Sequence, residues 1–160
     1  MNLLPQNLEL LDLIPALAII TGGLIIGLII QIIILVRIRQ LFKKTKFTYD
    51  DRLVNSLGNS PIIYSLLAAI YIASFTLDIP QDGLNLLKQF LIVISLVELT
   101  IIVSRISGIS VEVYLRKVSG DSSASLFTNA ARILVYIVGF LIISQTLGIN
   151  ITAALTALGV

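Results

Sequence analysis

The sequence predicts an all-α integral membrane protein, a polytopic helix bundle with four transmembrane helices and the start of a fifth. Of its 160 residues, 57% are hydrophobic and 12% are charged, whereas about 25% of the residues in a soluble domain are charged. The mean hydropathy is +1.02, and several apolar runs are long enough to cross a bilayer. Lipid rather than water is therefore expected to solvate most of the surface.

The first two spans are defined by apolar runs with clear ends. Residues 13–36 contain no charge, and as a helix they rise about 36 Å, enough to cross ~30 Å of hydrocarbon with some tilt. The second span is predicted over residues 61–79, opened by Pro61 and closed by Asp78 and Pro80, because proline suits a first helical turn and is excluded from a helix interior.

Two small-residue spacings fall within these spans. Gly23-x-x-x-Gly27 lies in the first span and Ala69-x-x-x-Ala73 in the second. Because small side chains let helix backbones approach closely in lipid, both spacings predict close helix packing.

The third and fourth spans follow the same logic. The third covers 84–104, and its helix is predicted to extend to position 117 because apolar residues continue at three-to-four spacing. The fourth helix is predicted over 124–147. After a turn, a fifth helix occupies 151–160 and rises only about 15 Å. Because that rise cannot cross the bilayer, the sequence predicts a chain truncated from a longer protein. A natural C-terminal half-helix packed against the bundle is the alternative.

Positive charges alternate between the segments that join the spans. The 37–60 loop holds six Lys and Arg residues and the 105–129 region holds three, whereas segments 1–12 and 78–83 hold none. Short loops rich in Lys and Arg stay in the cytoplasm. The sequence therefore predicts an N-terminus outside, two basic regions inside and a location in the plasma (inner) membrane.

The basic residues after the first span have two interpretations. They set the topology, and they also suit contact with anionic lipid headgroups, at about 1 kcal/mol for each residue near the surface. The candidate headgroup residues are Arg37, Arg39, Lys43, Lys44 and Lys46.

Four ionisable residues are predicted within or near the spans: Lys88, Glu98, Arg105 and Arg132. Glu98 is the most expensive to bury, because a charge at the centre of a membrane helix costs about 2.5–3.5 kcal/mol. Its candidate partners are Arg105 and Arg132, and the group is either a proton or ion relay or a polar clamp between helices. Lys88 is expected to extend toward the outer surface.

Several function classes are excluded by composition. The sequence has no Cys and no His, so thiol catalysis, Cys/His zinc sites and imidazole bases are excluded. No serine has a nearby base, and we expect neither an enzyme nor a cofactor. The net charge of +2 is too balanced to indicate nucleic-acid binding.

The C-terminal stretch SLFTNAARILVYIVGFLIISQTLGINITAALTALGV resembles the start of the pore region in the small-conductance mechanosensitive (MscS-like) ion channel family. Arg132 opens an apolar helix, a Leu-Gly-Ile-Asn turn follows, and a helix of type I-T-A-A-L-T-A-L-G-V comes last. The likeness covers about the last 35 residues, and residues 1–120 resemble the family only in hydropathy.

This resemblance implies different roles for the two parts of the chain. Residues 1–120 would be tension-sensing spans, and residues 121–160 the last sensor helix and the start of the pore-lining helix. The turn before the pore would contain Gly148 and Asn150. The pore helix would begin with Ile151, Thr152, Ala153, Ala154, Ala157 and Gly159.

The resemblance also implies partners: membrane lipids, other copies of the chain in a homo-oligomer, and permeant ions released under osmotic stress. The pore helix would run from outside to inside, in agreement with the topology derived from charge. An alternative function stays open, half of a secondary transporter or permease in which Glu98 and Lys88 are the coupling groups.

Overall fold

The computed structural model describes residues 10–42, 56, 58–77, 79–118, 121–151 and 156. These described residues form helices and turns and contain no strand, so the predicted all-α fold is confirmed. In chain order the helices are α1 (Leu10–Phe42), α2 (Ser60–Ala73), α3 (Gln81–Val118) and α4 (Asp121–Thr146).

Three of these helices have the length and composition of membrane spans. The candidate spanning parts are Leu13–Arg37, Gln81–Arg116 and Ala124–Thr146. They coincide with helices predicted as the first, third and fourth spans and support a multi-pass membrane protein. The extension of the third helix is also present, because α3 continues to Val118 without a break. At 38 residues α3 is about 57 Å long and exceeds the hydrocarbon thickness.

The second helix is shorter than the predicted span of 61–79. It has 14 residues and rises about 21 Å, less than the ~30 Å of the hydrocarbon core. Pro61 does lie in its first turn. The predicted count of four spans is therefore not confirmed.

Two local side-chain hydrogen bonds accompany the early end of α2. The Ser74 hydroxyl donates to the Tyr71 carbonyl at 2.6 Å, and the Thr76 hydroxyl donates to the Ala73 carbonyl at 2.8 Å. Such bonds compete with the helical pattern, but they do not end a helix by themselves, since Thr100 makes one inside α3. Residues 74–77 form turns. The hydropathy of this stretch gave no sign of that competition.

The chain divides into two compact units, Met1–Lys46 with Leu57–Ser95, and Phe47–Ser56 with Leu96–Val160. The first unit contains the contact between α1 and α2. The predicted functional division at residue 120 stays a prediction.

The glycines of α1 allow α2 to approach closely. A Cβ on Gly23 would collide with the side chain of Ala69, and a Cβ on Gly27 would lie 2.9 Å from the Cβ of Ser65. The Ser65 hydroxyl donates to the Gly23 carbonyl at 2.6 Å. The predicted packing role of the Gly23-x-x-x-Gly27 spacing is confirmed.

Polar side chains supply further links within this unit. The Gln31 amide nitrogen lies 3.3 Å from the Gly58 carbonyl oxygen and 3.3 Å from the Asn59 side-chain oxygen, just before α2 begins. The Tyr64 hydroxyl donates to the Ser95 carbonyl at 3.1 Å. Hydrogen bonds of this kind satisfy polar groups that lipid cannot solvate.

Large apolar side chains cover the outer faces of the helices. Ile14 and Ile32 of α1 are both 61% exposed, and Phe140 of α4 is 68% exposed. An apolar surface on this scale is a liability in water. In a bilayer the same faces are solvated by acyl chains.

Candidate functional site

The C-terminal end of α4 has a well-defined turn. Gly148 has φ of +81°, a backbone conformation that glycine adopts without the steric penalty of a Cβ. The Ile149 N–H donates to the Ser144 carbonyl at 3.0 Å, and the Gly148 N–H donates to the Gln145 carbonyl at 2.9 Å. This pair of bonds is a Schellman motif, which fixes the direction in which the chain leaves the helix.

Ile151 and Thr156 are the described residues that follow this turn, and both are helical. Asn150 is exposed, and Ile151 is helical and half-buried. The turn therefore lies where the sequence placed it. The other predicted residues of the pore-helix start lie outside the described residues: Thr152, Ala153, Ala154, Ala157 and Gly159.

Within the second unit, α4 packs against α3 at two glycines. A Cβ on Gly139 of α4 would collide with the side chain of Thr100 on α3. A Cβ on Gly108 of α3 would collide with the side chain of Arg132 on α4. The contacts run in opposite order along the two helices, so this part of α3 and α4 is antiparallel.

An apolar cleft lies between the two helices beside the Gly139 contact. Its volume is about 280 Å³. Its lining includes Leu96, Leu99, Thr100, Val103, Leu134 and Val138. The Thr100 hydroxyl donates to the Leu96 carbonyl at 2.7 Å, so the hydroxyl is satisfied within its own helix. A cleft with such walls suits apolar material such as an acyl chain.

The predicted ionisable residues do not all converge. Arg132 crosses Gly108, which lies ten residues beyond Glu98 in the sequence, or about 15 Å along the helix. One Arg105 Nη lies 3.3 Å from the Ser56 carbonyl oxygen. Glu98 itself is half-buried and Lys88 is exposed. The relay and the clamp predicted around Glu98 both stay predictions.

A charged pair that the sequence reasoning did not identify lies further along α3. An Arg116 Nη is 2.9 Å from the Glu112 Oε1, four residues away on the same helix. This spacing brings the two side chains together on one helix face. The four-residue spacing of opposite charges was the sequence signal that could have predicted the pair. The pair and Arg132 line the same cavity.

The predicted headgroup residues are only partly described. Arg37 is exposed at the end of the first spanning segment. Arg39 lies within α1, and Lys43, Lys44 and Lys46 lie outside the described residues. Lipid contact through this cluster stays a prediction. Among the described residues, no group of three or more acidic, His or Cys side chains is placed to hold a metal ion.

One comparison with protein families bears on the functional alternatives. Residues 129–160 match the family described as "Mechanosensitive ion channel, transmembrane helices 2/3". The resemblance to MscS-like channels is confirmed. The matched segment covers about a fifth of the chain and contains Arg132, most of α4 and the Gly148 turn.

This MscS-like match agrees with an integral membrane protein and gives no support to the transporter alternative. Comparisons with curated proteins and with solved structures give no match.

Proposed function

We propose that this chain forms the tension-sensing membrane part of an MscS-like mechanosensitive channel and that residues 151–160 begin its pore-lining helix. The observation that carries the proposal is the family match over 129–160. The matched segment includes the glycine-terminated end of α4 and Ile151, which is helical. A sensor helix joined to a pore helix by a fixed turn is the arrangement that such a channel needs.

The exposed apolar faces supply the coupling to the bilayer. Stretching a membrane favours whichever protein state occupies the larger in-plane area, and lipid shifts the population only through its different affinity for the two states. Side chains such as Ile14, Ile32 and Phe140, all exposed, would carry that difference. In this proposal α4 moves with the lipid, and the Gly148 turn transmits the movement to the following helix.

The remaining features of the proposal follow from the MscS-like assignment. Several copies of the chain surround a common pore. The helix that lines this pore starts with Ile151, Thr152, Ala153, Ala154, Ala157 and Gly159. The N-terminus faces outward, the pore helix runs inward, and the location is the plasma (inner) membrane. Basic residues after the first span contact lipid headgroups. Ions are the permeant species, released when osmotic stress raises membrane tension.

Survival of osmotic shock tests this proposal in cells. The protein, as expressed from its own gene, is produced in a bacterial strain that lacks mechanosensitive channels, and the cells are diluted abruptly into low-osmolarity medium. We expect higher survival than in cells with an empty vector. Unchanged survival, with the protein present in the membrane in normal amount, would contradict the proposal.

The same strain separates the channel from the transporter alternative. If the protein is a transporter that uses Glu98 as a coupling group, the Glu98→Gln variant would lose substrate flux. Any protection of the cells against osmotic shock would then not depend on membrane tension. In the channel, Glu98→Gln is expected to keep the protection against shock, because protection requires only that the pore opens.

A further inference from the structure

We propose that a polar cavity between α3 and α4, in the second unit, binds a phosphate group. The cavity has a volume of about 240 Å³. Its polar lining consists of Glu112, Arg116, Ser125, Thr128, Asn129 and Arg132. This composition contrasts with the apolar cleft further along the same helix pair.

Two buried donors in the lining have no acceptor among the described residues. Thr128 is only 6% exposed, and its hydroxyl has no hydrogen-bond partner there. The Nε of Arg132 is also buried, again with no partner in the described part of the chain. Because buried donors are nearly always satisfied, two such donors at one cavity point to an acceptor that binds there.

The charges of the lining favour an anion as that acceptor. Arg116 and Arg132 carry two positive charges against the single carboxylate of Glu112. The Glu112 carboxylate already pairs with Arg116 at 2.9 Å, which reduces its repulsion of an incoming anion. Guanidinium and hydroxyl donors in one site suit a phosphate group, whose oxygens accept hydrogen bonds in several directions.

The position of the cavity adds to this preference. The lining includes Ala124, the fourth residue of α4, which begins at Asp121. Backbone N–H groups at a helix N-terminus carry partial positive charge and favour anions. The charge pattern predicts that this region faces the cytoplasm. On that side, the two available sources are a lipid phosphate of the inner leaflet and a soluble phosphate.

Gly108 gives the site a specific requirement. Its missing side chain makes room for Arg132, and a Cβ there would collide with the Arg132 Nε. Gly108→Ala should therefore displace the guanidinium from its place without removing a charge. Gly22→Ala is the matched control, since no atom lies within 4 Å of a Cβ at that position.

Binding measurements on the purified full-length protein in detergent test the site. One arm titrates inorganic phosphate and follows the unfolding midpoint. The other uses native mass spectrometry to compare retention of phosphatidylglycerol with retention of a phosphate-free galactolipid. We expect binding in at least one arm, and the arm in which it occurs identifies the source of the phosphate.

Thr128→Val removes the buried hydroxyl and keeps the side-chain volume. We expect it and Gly108→Ala each to weaken binding by about tenfold, the usual effect of losing a hydrogen bond to a charged group. Thr146→Val, at the other end of α4, and Gly22→Ala should bind as the unaltered protein does. Thr128→Ser has a hydroxyl at the same position and should bind phosphate. It serves as the second variant if Thr128→Val folds poorly.

Absence of binding in both arms, or equal binding by the unaltered protein and a folded Thr128→Val variant, would overturn the phosphate site. Neither measurement involves membrane tension or ion current. The site can therefore fail while the channel assignment stands, and the reverse also holds.

Discussion

At the scale of single residues, small side chains decide where these helices meet. Lipid tails are as apolar as leucine, so hydrophobic burial does not drive helices together in a bilayer and close van der Waals contact takes its place. Gly23 and Gly27 contact α2, Gly139 meets Thr100, and Gly108 accommodates Arg132. At each of these glycines, an added Cβ would clash with the neighbouring helix.

Gly23→Ala tests this packing in the first unit. The added Cβ would collide with Ala69, and overpacking of this kind destabilises by about 1–3 kcal/mol. Gly22→Ala is adjacent but meets no atom within 4 Å, and it should stabilise by about 0.5–1 kcal/mol because alanine is the better helix former. Unfolding of both variants in detergent by denaturant measures the difference, and equal stability would contradict the packing.

The sequence revealed part of this pattern. Gly23 and Gly27 were predicted because their four-residue spacing places both on one helix face. Gly108 and Gly139 were not, because an isolated glycine has no spacing to detect and its partner is 24 to 39 residues away. The polar cavity was missed for the same reason, since Thr128 carries no local signal that its hydroxyl is buried.

At the scale of helices, the ends matter as much as the spans. The helix α2 ends where Ser74 and Thr76 bond to the preceding carbonyls. The helix α4 ends at Gly148, where two backbone bonds close the last turn. The second end was predictable because glycine after a periodic run is a termination signal. The first was not, because the apolar run continues through Phe75 and Leu77.

Gly148→Ala tests the turn. Alanine at φ of +81° places its Cβ too close to the following carbonyl, at a cost of about 1–2 kcal/mol. We expect this loss in the free energy of unfolding, whereas Gly22→Ala serves as a glycine-to-alanine change within a regular helix. A variant as stable as the unaltered protein would show that the left-handed turn is not required.

At the scale of the whole molecule, orientation in the membrane is the feature on which the pore assignment depends. A pore helix that starts at residue 151 on the outer side must run inward. Charge counts alone predicted this orientation. Because the sequence has no cysteine, introduced cysteines report sidedness without interference.

We expect Gln81→Cys and Asn150→Cys to react with a membrane-impermeant maleimide in intact cells. Ser119→Cys should react only after the membrane is permeabilised, because it lies in the basic region predicted to face the cytoplasm. Labelling of each variant in intact and permeabilised cells is compared on a gel. The reverse pattern would place the Gly148 turn in the cytoplasm and remove the basis for an inward-running pore helix.

Ion current under membrane tension shows whether the protein is a mechanosensitive channel. The protein, as expressed from its own gene, is reconstituted into liposomes, and excised patches are held at constant voltage while suction is increased. We expect ion current that appears above a threshold of tension and disappears when suction is released. A folded, correctly inserted protein that gives no such current up to patch rupture would contradict it.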